Sequence, residues 1–238
     1  IARTTDERTA ITCVLPKVGT GNTSPLIFLK TKDQGIILLI SVINSFCLDF
    51  SARQKVGGTH LTYNYLRQFP IPAKNSLIDC QLAKSIIPPR AIELTYTAWD
   101  LEAFAKDCGY DGPPFRWDED RRFLLRAELD AAFFYLYLGS QEDWQKEGTP
   151  ELLESFRTPR DAIDYIMETF PIVKKKDIAR TEVKDDSGNI IKEGTFITKD
   201  TILSIYDDMA EAQRTGQPYQ TRLDPPPADP SCAHPPRA

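Results

Sequence analysis

Gly35-Ile-Ile-Leu-Leu-Ile-Ser-Val-Ile-Asn44-Ser-Phe-Cys-Leu-Asp-Phe50-Ser-Ala-Arg53-Gln-Lys55-Val-Gly57-Gly58-Thr59-His60-Leu61 is the stretch on which the fold turns. Ile36, Ile37, Leu39, Ile40, Ile43, Phe46, Cys47 and Phe50 recur at helical spacing over a broad face, so residues 32–54 are expected to form a helix that Asn44 and Ser45 interrupt little. That helix ends in cations, followed by two residues without a Cβ and then a hydroxyl. Backbone and side-chain donors can meet a phosphate chain in such a turn, which makes nucleic acid the first partner to test. The alternative is structural: glycines after a helix commonly close it in the left-handed conformation, and cations in a last turn complement the helix dipole.

On the N-terminal side, residues 9–15 (Thr-Ala-Ile-Thr-Cys-Val-Leu) are β-branched and apolar and stop at Pro16, which predicts a strand. A glycine- and asparagine-containing loop over 18–25 leads to a second expected strand, 26–29, and the two suggest a paired β element. On the C-terminal side, residues 61–65 read as a short strand or extended segment, and Leu66-Arg-Gln-Phe-Pro-Ile-Pro72 returns the chain to the sheet.

From residue 75 the texture is helical. Residues 76–87 are expected to form a helix stopped by Pro88-Pro89, residues 90–108 another ended by Gly109, and Asp118-Glu-Asp120 to open a long helix reaching Leu138, with its acids at the positive end of the dipole. A charged helical or insertion segment follows over 141–157, then a helix start at Thr158-Pro-Arg-Asp161 for residues 162–169. Residues 170–173 are expected to be extended, residues 182–191 to form a hairpin about Asp185-Asp-Ser-Gly-Asn189, and residues 202–213 to form a last helix capped near Thr198. The expected fold class is α+β. It comprises a small mixed sheet-and-helix recognition domain over 1–74, a mainly helical domain over 75–223 and a proline-rich tail over 224–238, extended or disordered.

Composition narrows the function classes. The longest apolar run, residues 35–44, is too short to span a bilayer, so no membrane is expected. The five cysteines, an odd number without a Cys-x-x-Cys pair and with only His60 and His234 beside them, read as reduced thiols of a cytoplasmic protein and not as a zinc site or disulfide framework. Net charge is −5, but it is split: residues 1–99 hold 11 Lys and Arg against 6 Asp and Glu, giving +5, and residues 100–238 hold 18 against 28, giving −10. Phosphate neutralisation needs local cation density, so a nucleic-acid surface is expected in the first hundred residues. The start at Ile1, already close to a strand, reads as a piece of a longer protein or a processed product.

Catalytic motifs are sparse. Neither Gly-x-Gly-x-x-Gly nor Gly-x-x-x-x-Gly-Lys-Ser/Thr occurs. Asp177 with Glu182-Val-Lys184 is a faint version of the two-acid-and-lysine pattern that holds Mg²⁺ in nucleases, which alternating charge on a hairpin explains equally well. Lys174-Lys-Lys176 reads as a solvated run or a phosphate contact. Tyr63 and Tyr65 could contact bases or pack in the core.

Two blocks resemble a known family. The run from Leu38 to Leu61, with Phe69-Pro-Ile-Pro72 behind it, resembles the closing helix, Gly-Gly-Thr turn and Pro-Ile-Pro exit of target recognition domains. These occur in TaqI-like adenine methyltransferases, type I specificity subunits and large type IIG restriction-modification proteins. Thr5-Asp-Glu-Arg-Thr9 and the Gly19-Thr-Gly-Asn22 loop are similar to the last section of that domain. Arg116-Trp-Asp-Glu-Asp-Arg-Arg-Phe-Leu-Leu-Arg-Ala-Glu-Leu-Asp-Ala131, with Asp164-Tyr-Ile-Met-Glu-Thr-Phe-Pro-Ile-Val173, is similar to the helical end of the same bacterial proteins, including phage-defence methyltransferases.

The resemblance implies a parent that methylates adenine in double-stranded DNA using S-adenosylmethionine, in some cases with a fused endonuclease. The family's Asn/Asp-Pro-Pro-Tyr/Phe motif is absent, since Asp224-Pro-Pro-Pro227 lacks the aromatic, so no catalytic, metal or cofactor residue is assigned here. S-adenosylmethionine and the methyltransferase domain are expected upstream. The expected role is DNA target specificity, with Arg53, Lys55, Gly57, Gly58, Thr59 and His60 as contacts and Lys17, Thr20 and Asn22 beside them. The alternative is a protein-interaction or coupling module within such a complex.

Overall fold

In the computed structural model, residues 5–21, 24–29, 35–58, 60–73 and 80–237 are described. Among them lie α1 (Gly35–Ile43), α2 (Phe46–Lys55), α3 (Tyr63–Leu66), α4 (Gln81–Thr95), a 3-10 turn (Trp99–Leu101), α5 (Glu102–Asp107), α6 (Glu119–Leu138), α7 (Gln141–Glu147), α8 (Pro150–Ser155), α9 (Pro159–Glu168), α10 (Pro171–Thr181), β1 (Val183–Lys184), β2 (Ile190–Lys192) and α11 (Ile197–Thr215). The fold is mostly helical, and β1 and β2 pair antiparallel as a small two-stranded sheet.

Helix α6 organises the packing. Asp118 caps it by accepting the Arg121 N–H at 2.9 Å, and Glu119 and Asp120 occupy its first turn. Phe133 and Phe134 are both fully buried, yet they enter different interiors. Phe133 joins Ile37, Val42, Leu48, Ile87, Tyr96 and Phe115; Phe134 joins Phe46, Ile86, Ile163, Phe170, Ile205 and Met209. Adjacent helical residues point about 100° apart, so α6 stands between two cores. Helices α4 and α11 pack on it, with α1 against α4 and α2 against α6. The domain boundary expected at Lys74 falls outside the described residues, and elements from both sides of it share both cores.

Several local expectations are corrected. The helix expected over 32–54 is two helices bent by 61° at Asn44 and Ser45. Ser45 caps α2, its hydroxyl accepting the Leu48 N–H at 3.2 Å, and the Asn44 side chain turns outward to serve residue Thr12. No strand occurs among the described residues before Val183, so the strands expected over 9–15 and 26–29 and the return to a sheet near 66–72 are not formed. Residues 63–66 are helical. Pro88 and Pro89 do not stop α4. The carbonyls they leave unbonded belong to Lys84 and Ser85, which are exposed and open to water, while the opposite face buries Leu82, Ala83, Ile86, Ile87 and Ala91. That helix ends at Thr95, well before Gly109.

Residues 170–173 are not extended either. Pro171 occupies the first turn of α10, where its missing N–H costs nothing, and Phe170 is fully buried at the cap. Helix α11 begins before the expected Thr198 cap because the Asp177 carboxylate accepts the Thr198 N–H at 2.7 Å. The tail is ordered by contacts. Glu128, fully buried on α6, accepts from Tyr219 Oη at 2.7 Å, Thr221 Oγ1 at 2.9 Å and Arg222 N–H at 2.8 Å while pairing with Arg90 at 2.6 Å. Glu93 takes the Ala228 N–H at 2.8 Å, and the His234 N–H reaches Pro114 O at 2.8 Å. No single described helix is long and apolar enough to cross a membrane.

Candidate nucleic-acid interface

The glycine turn hangs from two apolar anchors. Val56 is buried at the end of α2, and Leu61 packs half-buried against the first core. Between them Gly57, Gly58 and His60 are exposed, with exposed Lys55 just before; Thr59 lies outside the described residues. The helix closes at Val56 in an extended conformation. Neither Gly57 nor Gly58 has a positive φ, unlike Gly109, Gly139, Gly188 and Gly216, and a Cβ at either would meet nothing within 4 Å. Backbone conformation and crowding therefore give no reason for two glycines here, in contrast to the helix-closing explanation.

Arg53 and Lys55, two residues apart, face different surroundings. The Arg53 guanidinium stacks 4.2 Å from the Phe170 ring centroid and donates to the carbonyls of Asp6 and Glu7, each at 2.8 Å, to Thr169 O at 3.3 Å and to Asp49 at 3.4 Å. Its side chain is 9% exposed. The donors expected to face phosphate are directed at the protein's own backbone. Lys55 alone of the two displays its cation.

Asp49, which sequence reasoning passed over, is the centre of this region. It is fully buried and accepts the N–H groups of Thr9 at 2.9 Å and Ala10 at 2.6 Å, with Arg8 3.3 Å away and Arg53 on its other side. Two cations and two amides compensate the burial of one carboxylate. A signal was present: Asp49 is the one acid between Gly35 and Asp79, and it sits inside an apolar helix. Asp130, also buried, accepts the Phe46 N–H at 2.7 Å; burial pushes its pKa up to about 6, with nearby Arg8 pulling the other way.

Lys17 and Thr20 are exposed in the stretch ahead of α1, where the Thr20 hydroxyl donates to Ser24 O at 3.3 Å; Asn22 lies outside the described residues. The stretch's continuation is tied to α3 by the Tyr63 hydroxyl, which donates to Leu26 O at 2.8 Å. Tyr63 is exposed, whereas Tyr65 packs against the first core. Asp177 is buried on α10 and committed to Thr198, Glu182 pairs with Lys184 at 2.8 Å, and no group of three His, Cys, Asp or Glu suited to a metal occurs among the described residues. The nuclease pattern is therefore not assembled. Lys174 pairs with Glu168 at 2.7 Å and Lys176 with Glu7, so two lysines of that run are engaged in surface ion pairs. No protein-family model matches the chain, and no curated protein or solved structure matches it.

Proposed function

We propose that this chain is a DNA-specificity module of a site-specific adenine methyltransferase or restriction-modification protein, acting on double-stranded DNA beside a methyltransferase domain that carries S-adenosylmethionine. The observation that supports it is the Gly57-Gly58 turn: exposed, basic on one side through Lys55, and glycine at two positions where the fold itself does not require glycine. A surface without side chains lets a phosphate approach backbone N–H groups closely. The charge split, +5 before residue 100, places the cations on the same part of the chain.

Lys55, Gly57, Gly58, Thr59 and His60 are the proposed contact residues, with Lys17, Thr20 and Asn22 as further candidates. Arg53 holds the turn's base and is removed from the contact set. Fluorescence anisotropy with a labelled duplex between about 50 and 200 mM salt tests this. Binding should weaken with salt, and Lys55→Ala should lower the slope of log affinity against log salt by about 1. Absence of salt-dependent binding, or a Lys55→Ala slope equal to the parent's, overturns the reading.

A further inference from the structure

Residues 10–16, ahead of α1, alternate in exposure as a strand does but pair with no strand among the described residues. They run without turn or bend. Exposure alternates along them: Ile11 is 71% and Leu15 43% exposed, with Cys13 exposed between, while Thr12, Val14 and Pro16 are half-buried and Val14 packs on the first core. That is the period of a strand lying with one face on the helices. One edge is already served. Asn44 accepts the Thr12 N–H and donates to the Thr12 carbonyl, both at 2.9 Å, doing for Thr12 what a residue of an adjacent strand would do.

Along an extended chain the N–H and C=O pairs of successive residues point to opposite edges. The pairs of Ile11, Cys13 and Leu15 therefore point away from Asn44, and they make no hydrogen bond among the described residues. The side chains on the outward face are apolar. From Thr9 to Leu29 the only charged residue is Lys17, and Ile11, Leu15, Val18, Leu26, Ile27, Phe28 and Leu29 are all exposed, with Tyr63 hydrogen-bonded to the stretch. Together they leave on the order of 700 Å² in solvent, close to the roughly 800 Å² that one partner contributes to a standard interface. A bare, uncharged edge of this kind is a template for pairing with another chain.

We infer that this edge pairs with the same edge of a second copy, antiparallel, about a two-fold axis at Cys13. The pattern suits itself. With Cys13 opposite Cys13, the Ile11 side chain of each copy lies opposite Leu15 of the other, no charge meets a like charge, and the N–H and C=O of Cys13, pointing toward the open edge, are exchanged between copies. The two-fold operator makes the contact closed, so association stops at a dimer. This goes beyond the DNA reading and does not depend on it.

Light scattering during size exclusion of the full chain over a concentration series gives the first readout: a dimer with micromolar dissociation constant is expected, and a monomer at every concentration up to about 100 μM overturns the inference. Ile11→Lys and Leu15→Glu should each weaken the dimer about tenfold or more. Both in one chain should restore it, because each lysine then faces the second copy's glutamate; a double variant no better than the singles overturns the two-fold register. Mild oxidation should give a reducible covalent dimer, since a hydrogen-bonded antiparallel pair has Cα atoms about 5.5 Å apart, within disulfide reach. Cys13→Ser must abolish that product and Cys47→Ser must not. The substituted side chains at 11, 13 and 15 face solvent, and circular dichroism checks that the helices are retained.

Discussion

Two stretches of this chain carry almost no regular structure among the described residues, the lead-in over residues 5–21 and 24–29 and the tail over residues 219–237, and they differ in how they are held. The tail is fastened along its length: buried Glu128 and Glu93 on α6 and α4 receive its hydroxyls and N–H groups, and Leu223 and Ala233 are buried beneath. The lead-in is fastened mainly over residues 6–12, by Arg53, Asp49 and Asn44, and again at Leu26 by Tyr63, and beyond residue 12 most of its apolar side chains face outward. Irregular chain becomes fixed where buried acceptors on a helix meet its backbone donors. Hydrophobicity alone did not secure the lead-in, which is the more apolar of the two.

Removing the tail's anchor should make the two stretches alike. Glu128→Ala leaves Arg90 buried without its carboxylate and frees three donors of the tail, at a cost of about 3–5 kcal/mol in urea unfolding, with limited proteolysis now cutting near residue 220. An unchanged midpoint would mean that the apolar contacts of Leu223 and Ala233 hold the tail unaided. Next in size is the effect of Asp130, whose pKa burial raises from an ordinary 3.8 to about 6. An acid with a raised pKa opposes folding when ionised. Its penalty, about 3 kcal/mol by linkage, is full above pH 6, shrinks as pH falls from 6 toward 3.8 and is gone below. Asp130→Asn should therefore gain stability relative to the parent at pH 8 compared with pH 4; a pH-independent difference refutes the assignment.

Arg53→Ala sharpens the lead-in side. It removes the donors to Asp6 and Glu7 and leaves Asp49 with one cation fewer, a loss of about 2 kcal/mol, while hydrogen exchange at Thr9 and Ala10 speeds up. Lys55→Ala, two residues on, should stay within about 0.5 kcal/mol of the parent. Gly58→Ala is similarly small, because its new methyl meets nothing: thermal stability should hold or rise by under about 1 kcal/mol while duplex affinity falls. A marked loss of stability would make the glycine structural after all.

The elements legible in the sequence were those with local punctuation. Asp118 before a long apolar stock gave α6, Thr158-Pro-Arg-Asp161 gave the capping box of α9, and Asp185-Asp-Ser-Gly-Asn189 gave the turn between β1 and β2, with Gly188 at φ 85°. What failed depended on distant partners. Asn44 breaks a helix because Thr12, 32 residues away, takes its amide. Pro88 and Pro89 are carried inside α4 because its other face is buried against α6. Residues 9–15 have strand composition, but composition does not supply a neighbour. At the candidate interface Lys55 and the two glycines are exposed, whereas Arg53 is turned inward and could not be told from Lys55 by spacing, since only tertiary contacts separate them.

The neighbouring rings of Phe133 and Phe134 have one more effect. Each closes a different interior from the same turn of the same helix, so water entering one core removes a wall of the other. The two cores then share a single fate: a denaturant titration should show one transition by both the tryptophan signal and the helical signal, and damage at either end of the chain should be felt at the other.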